Sequence, residues 1–442
     1  MNNNELERER TSCFFIGIIL LIPILRYYDI IGSLGLESVL RTIAALLVFY
    51  LFHFESIYHQ EAFVKSRNWF LLFCIWSVAI TLAYELGSDI NISSSFVNYT
   101  LFSYVLAIVS MIIIYGTLSG KVDLSKTFII YEKIVYFLVA IYLVQIVMNS
   151  VGIRISFKVP GLKYGSAYGY LNSEVMGFNG ARPSSLFSER AHFAEYITPF
   201  IAVCLFSDKI IKRHRLVKAI FFSVVTISTV SGNGIIILLI EWGLYFIFFS
   251  NLKGGVKIPV IILAAIVFAF AYNQLQSNEA YSDIFNRMFA NNTGNEYLHA
   301  KADYRIYRGF DLFIKLPMFQ KIIGVGYEHM YIFARLNQIE SIYDSSSQAY
   351  EFFNTIAQIL LYFGIIGFIL FCGHMLMLFF SRSKVAKGLV IISIALWLSS
   401  QMLYSNTHIM YLLLTASAVS LINSEERKSE QVRQKHLYIR ND

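Results

Sequence analysis

Apolar stretches long enough to cross a bilayer recur along almost the whole chain, from Cys13 to a last run ending near Leu421. A hydrocarbon core of about 30 Å takes about 20 helical residues at roughly 1.5 Å each. Stretches of that length and polarity read as helices in series, about twelve of them. The expected fold is therefore an all-α polytopic membrane protein, treated as a single membrane domain over residues 1–442. With 56% hydrophobic and 15% charged residues, a soluble globular class is excluded.

The net charge of +7 does not point to nucleic acid, because the basic residues sit in short links between apolar segments, where they set topology. Arg8 and Arg10, Lys65 and Arg67, Lys121 and Lys126, the cluster Lys209 to Lys218, Lys253 and Lys257, and Arg382, Lys384 and Lys387 occupy every second link. The tail over 424–442 is basic too. The alternate short links, Asp29 to Glu37, Gly87 to Ser95, Ser231 to Gly234 and Tyr404 to His408, contain no Lys or Arg. This alternation puts both termini in the cytoplasm and requires an even number of crossings. It also splits Leu216 to Ser250 into two spans around Ser231-Gly232-Asn233-Gly234. The four cysteines lie in or beside apolar spans and offer neither a disulfide framework nor metal spacing. The first apolar segment has no small-residue cleavage site and reads as a retained helix.

Two outer segments are long, 151–190 and 274–351, and function is expected there. The first is net cationic on a face where topology alone would not place positive charge, which favours an anionic ligand. Its Tyr-Gly run, Lys163 to Tyr170, suits aromatic platforms for sugar rings and equally an interfacial aromatic belt. In the second, apolar Ile306, Phe310, Phe313 and Ile314 have helical spacing, so an amphipathic helix lying on the membrane is expected, with Arg305 and Arg308 on one face. Pro317 ends it, and the tight turn Gly324-Val325-Gly326 follows. Within the spans, Arg41, Glu132, Lys133 and Glu241 are costly unless paired, and a tie between Glu241 and Arg41 is one way to satisfy both.

The sharpest motif is the run Ala181 to Ala194, where Arg182, Ser185, Glu189 and His192 stand as a polar loop turns into the sixth span. It resembles the Arg-x-x-Ser-x-x-x-Glu-Pro-x-x-x-Ala signature of bacterial O-antigen and capsular-polysaccharide polymerases, the Wzy family, with Arg190 where proline is usual. Arg305 and Arg308 before Gly324-Val325-Gly326, then Asn354 and Gln358 before Gly364-Ile365-Ile366-Gly367, are similar to that family in order and spacing. Related O-antigen ligases carry a His-Asn pair where this chain has Phe353-Asn354, so the imidazole inferred as their general base is missing and polymerisation is favoured.

The resemblance implies a GT-C-like glycosyltransferase of the bacterial inner membrane. It would move a growing glycan from one undecaprenyl diphosphate carrier onto the sugar of another lipid-linked repeat unit, building O-antigen of lipopolysaccharide or capsule. Planar guanidinium groups suit the diphosphate leaving group, so Arg182, Arg305 and Arg308 are its expected clamp. Glu189 is the candidate catalytic carboxylate, or an acidic residue satisfying a helix dipole. Ser185, His192, Asn354 and Gln358 are the substrate-binding candidates, each with a bland alternative as a turn, cap or helix link. Asp303, Asp311, His329 and Glu351 stay open as bases. No cofactor or metal is expected, since no Asp-x-Asp pair faces outward. The implied partners are the lipid-linked donor and acceptor, membrane lipid and a chain-length-regulating co-polymerase. The competing readings are the ligase and a lipid-linked oligosaccharide flippase, which would show internal repeats that this chain lacks.

Overall fold

The computed structural model describes residues 3–25, 28–31, 34–53, 61–87, 120–153, 163–164, 183–187, 189–207, 210–211, 213–249, 302–340, 353–403, 405 and 407–421, with a few positions between 104 and 115. Arg182, most of the first outer loop, residues 274–301 and 341–352 of the second, the expected ninth span and the tail over 424–442 lie outside the described residues, as does most of the fourth span.

Helices dominate. In chain order they are α1 (Asn3–Leu25), α2 (Leu36–Leu51), α3 (Glu61–Gly87), α4 (Thr127–Ser150), α5 (Arg190–Phe206), α6 (Arg215–Ser228), α7 (Gly232–Leu244), α8 (Ala302–Lys315), α9 (Met318–Ile323), α10 (Met330–Leu336), α11 (Thr355–Phe379), α12 (Lys384–Ser399) and α13 (Thr407–Leu421). A π-helical turn, Tyr245–Phe249, prolongs α7. Among the described residues three helices are long and apolar enough to cross a membrane: Glu61–Leu86, Thr127–Ser150 and Thr355–Phe379. Outward-facing Ile75, Phe137, Val147 and Ile369 are more than half exposed on them, the surface that a helix presents to lipid rather than to water.

The helical expectation is extended by a small antiparallel sheet, in the order β2-β1-β3, from Tyr28–Ile31 (β1), Leu34–Gly35 (β2) and Lys163–Tyr164 (β3). Asp29 pairs with Lys163, so the first outer loop is hydrogen-bonded to the link between α1 and α2. At the opposite end of α1 and α4, Arg8 donates to the Lys121 carbonyl, Lys126 pairs with Glu9, and the Asp123 N–H donates to Ser12. The N-terminal segment and the link around Lys121 and Lys126, both basic, thus meet at one end of the helices, and the link around Asp29 meets the first outer loop at the other.

The core is apolar and aromatic, and α5 sits deepest: from Phe193 to Phe206 every side chain is buried. Small residues let helices approach it. A Cβ on Gly234 would come 2.8 Å from that of Ala194, and one on Gly388 would lie 2.3 Å from the Phe206 ring. Of the charged residues inside the spans, Glu132 accepts from Lys218 at 2.5 Å. Both carboxylate oxygens of Glu241 are buried without a hydrogen-bond partner among the described residues, so the tie to Arg41 is not made there.

The long helix α11 is broken. Gly364 has φ 67° and ψ −171°, a conformation that only glycine adopts without strain. The break frees carbonyls that must be satisfied in an apolar interior. The turn Gly324-Val325-Gly326 does this: the Val325 N–H donates to Leu361 O at 3.0 Å and the Gly326 N–H to Tyr362 O at 2.9 Å. Trp76 Nε1 donates to Phe363 O at 2.9 Å. The contact is too close for any side chain, since a Cβ on Gly324 would lie 2.2 Å from Tyr362 O and one on Gly364 2.2 Å from Ile322 O. Two glycine motifs that are far apart in sequence are therefore two sides of one backbone joint.

Candidate functional site

The end of the bundle formed by the starts of α5, α7 and α11 and the close of α12 carries the polar side chains. Pro183 to Phe187 form a buried turn, with Ser185 at φ 58°. Gln145 of α4 clamps it: its Oε1 accepts from the Ser184 N–H at 3.2 Å and the Ser185 N–H at 2.8 Å, and its Nε2 donates to Ser185 O at 2.9 Å. The Ser185 hydroxyl donates to Leu138 O at 2.7 Å, and that of Ser184 to Phe187 O at 2.7 Å. Ser185, a candidate ligand in the sequence, has its hydroxyl engaged in anchoring this turn inside the bundle. Arg182, immediately before Pro183, lies outside the described residues.

Glu189 is the exposed N-cap of α5 and makes no capping bond through its side chain. One turn on, His192 Nδ1 lies 3.3 Å from Oε2 of Glu195, whose side chain is 5% exposed against 34% for His192. Glu195 was missed by sequence reasoning, although an acidic side chain in the first turns of an otherwise largely apolar helix is costly unless it is paired. Its other oxygen, Oε1, accepts from Asn233 Nδ2 at 2.9 Å and from the Ser400 hydroxyl at 3.0 Å, and Asn233 also donates to Ser400 Oγ at 2.8 Å. Tyr411 of α13 donates to the Glu195 main-chain carbonyl at 3.2 Å. A buried carboxylate is tolerable only when its lone pairs are filled, and here α5, α7 and the residue closing α12 fill them.

The same Ser400 ties in α11. Its carbonyl accepts from the Thr355 N–H at 3.1 Å and from the Thr355 hydroxyl at 2.7 Å. Asn354 caps α11 by accepting from the Ala357 N–H at 2.9 Å, and Gln358 is buried with Oε1 unpartnered among the described residues. Two substrate-binding candidates thus flank the start of one helix, one engaged in capping and one holding a carbonyl oxygen in reserve.

The arginine-bearing helix reaches this point from the other side. Residues 302–315 are helical and stop before Pro317, as the spacing requires. The helix packs on protein along Gly309, Leu312 and Leu316, while Ile314, expected on its apolar face, is 70% exposed. A Cβ on Gly309 would lie 2.4 Å from Ala357 Cβ and 3.1 Å from the Phe353 ring. The backbone carrying Arg305 and Arg308 is thereby held within about a helical turn of the start of α11; their side chains lie outside the described residues. His329 lies apart, at the start of α10, with Nε2 3.1 Å from Glu85 of α3.

From Gly309 to Ala357, from Thr355 to Ser400, from Ser400 to Glu195 and from Glu195 to His192, direct contacts join the second-loop arginine helix, the Asn-x-x-x-Gln segment and the start of α5. Against known proteins, the chain matches no protein-family model and no curated sequence.

Proposed function

We propose that the chain is a membrane glycosyltransferase that polymerises undecaprenyl-diphosphate-linked repeat units into O-antigen or capsular polysaccharide at the outer face of a bacterial inner membrane. Twelve spans with both termini cytoplasmic belong to this reading, as does a GT-C-like architecture. The observation that carries it is the close approach of Gly309 to Ala357. That contact brings the arginine helix onto the Asn354 and Gln358 segment, and Ser400 links the segment to Glu195 and His192.

In the reaction, a hydroxyl oxygen of the acceptor sugar bonds to the anomeric carbon of the donor glycan. The bond from that carbon to the diphosphate oxygen breaks, and undecaprenyl diphosphate leaves with the electron pair. Negative charge grows on the diphosphate, and guanidinium groups from Arg182, Arg305 and Arg308 meet it with bidentate hydrogen bonds. In this reading Gln358, whose Oε1 has no partner among the described residues, and Asn354 orient sugar hydroxyls. Membrane lipid presents both carriers at the same depth, and a co-polymerase would set chain length.

The test is the surface glycan of a deletion strain complemented with wild-type protein or Arg305→Ala. Loss of the polymerase leaves lipid A core with a single repeat unit, or removes capsule. Arg305→Ala is expected to accumulate as folded protein and fail to restore polymer. Long glycan chains from that variant would refute the clamp, and loss of every repeat from the core with polymer retained on its carrier would assign ligation instead.

A further inference from the structure

We propose that buried Glu195 positions His192 as the proton acceptor for the hydroxyl of the incoming glycan, an inference that rests on the transfer reaction above. A carboxylate only accepts hydrogen bonds, so the proton between Glu195 Oε2 and His192 Nδ1, 3.3 Å apart, belongs to the imidazole. The neutral ring then carries its lone pair on Nε2, the nitrogen that takes up a proton. Glu195 cannot turn to release the ring, because Oε1 is held by Asn233 at 2.9 Å and by Ser400 at 3.0 Å, residues from two other parts of the bundle. The spacing of His192 and Glu195 on α5 puts them on one helical face, the glutamate inside and the ring 34% exposed toward the polar end.

The chemistry balances. As the acceptor oxygen bonds to the anomeric carbon, its proton passes to Nε2 while the diphosphate departs with the electrons of the breaking bond. The imidazolium so formed faces a carboxylate already locked in place, so the step creates an ion pair at a site prepared for it. Among the described residues, Tyr411 is the other titratable group bonded to Glu195, through its main chain. Glu189 and Arg190 precede His192 on the same turn, and α7 and α12 contribute the neutral Asn233 and Ser400. Glu189 makes no side-chain cap, and the assignment gives the part of the carboxylate to Glu195, as a positioning residue.

The experiment uses full-length protein in liposomes with an undecaprenyl-diphosphate-linked repeat unit, following initial rates of chain extension against pH. Glu195→Gln keeps a carbonyl oxygen for Asn233 and Ser400 but presents an amide N–H to Nδ1, which forces the proton onto Nε2. The expected result is a fall in kcat of about 100-fold or more with little change in KM, and loss of the limb of the profile that rises as the imidazole deprotonates. His192→Gln, which leaves the Asn233 and Ser400 bonds to Glu195 Oε1 in place, is expected to do the same, and the double variant to be no slower than either single one. A residue that only stabilises the fold would lower the amount of active protein and leave the pH profile unmoved. Variants that retain the wild-type kcat and profile overturn the assignment while the transfer reaction stands. A wild-type protein that extends no chains overturns both.

Discussion

Replacing Gly364 with alanine tests the central joint of the fold. The new Cβ would lie 2.2 Å from Ile322 O, 2.5 Å from Ile322 C and 2.6 Å from Gly324 N, all backbone atoms that cannot swing aside as a side chain can. The backbone strain of a non-glycine residue at φ 67° costs about 1–3 kcal/mol by itself. Relieving the overlap means moving the turn off α11, which breaks the Val325 to Leu361 and Gly326 to Tyr362 bonds. Buried peptide groups left unpaired cost about 1–3 kcal/mol each, so the substitution destabilises by at least about 3 kcal/mol and melts the joint before the rest of the bundle. Gly17→Ala is the control: it lies within α1 with nothing within 4 Å of the added Cβ, and alanine gains up to about 1 kcal/mol over glycine in a helix. The assay is thermal unfolding of both variants in detergent, followed by tryptophan fluorescence, to which Trp76 reports through its bond to Phe363 O. Gly364→Ala melting at the wild-type temperature would refute the paired-backbone account.

Gln145→Leu orphans two N–H groups and one carbonyl of the buried Ser184-Ser185 turn, at a cost of at least about 3 kcal/mol. Limited proteolysis should then cut near residues 183–187, and an uncut turn would refute its dependence on Gln145. Gly309→Leu drives a side chain into Ala357, so it should abolish chain extension in the liposome assay while thermal unfolding stays within a few degrees of wild type; retained activity would detach the arginine helix from the site. Glu241→Met removes two buried oxygens that have no partner among the described residues, at similar length, and is expected to raise stability by at least about 1 kcal/mol. A lower unfolding temperature for that variant would mean that the carboxyl is held by a group beyond the described residues.

The helical class was legible in the sequence, because apolar runs of bilayer length leave a chain few ways to satisfy its backbone. The sequence also located the helix over 302–315, ended by Pro317, and singled out the polar run entering α5 as a place where chemistry is expected. Each of these is local, resting on spacing, a ring-locked proline or a change of polarity within one segment. The tertiary structure decided what periodicity cannot encode, namely which distant residues meet. Gly324 and Gly364 read as separate punctuation until one is seen to fill the space that the other leaves. Ser185 reads equally as a ligand or as a turn residue in the sequence, and only the fold puts its hydroxyl on Leu138 O. Glu195 went unread because its partners lie on other helices and only His192 is near it in one dimension. Asn233 and Ser400, brought from two other links, supply the hydrogen bonds that let a carboxylate be buried there and leave its second oxygen for His192.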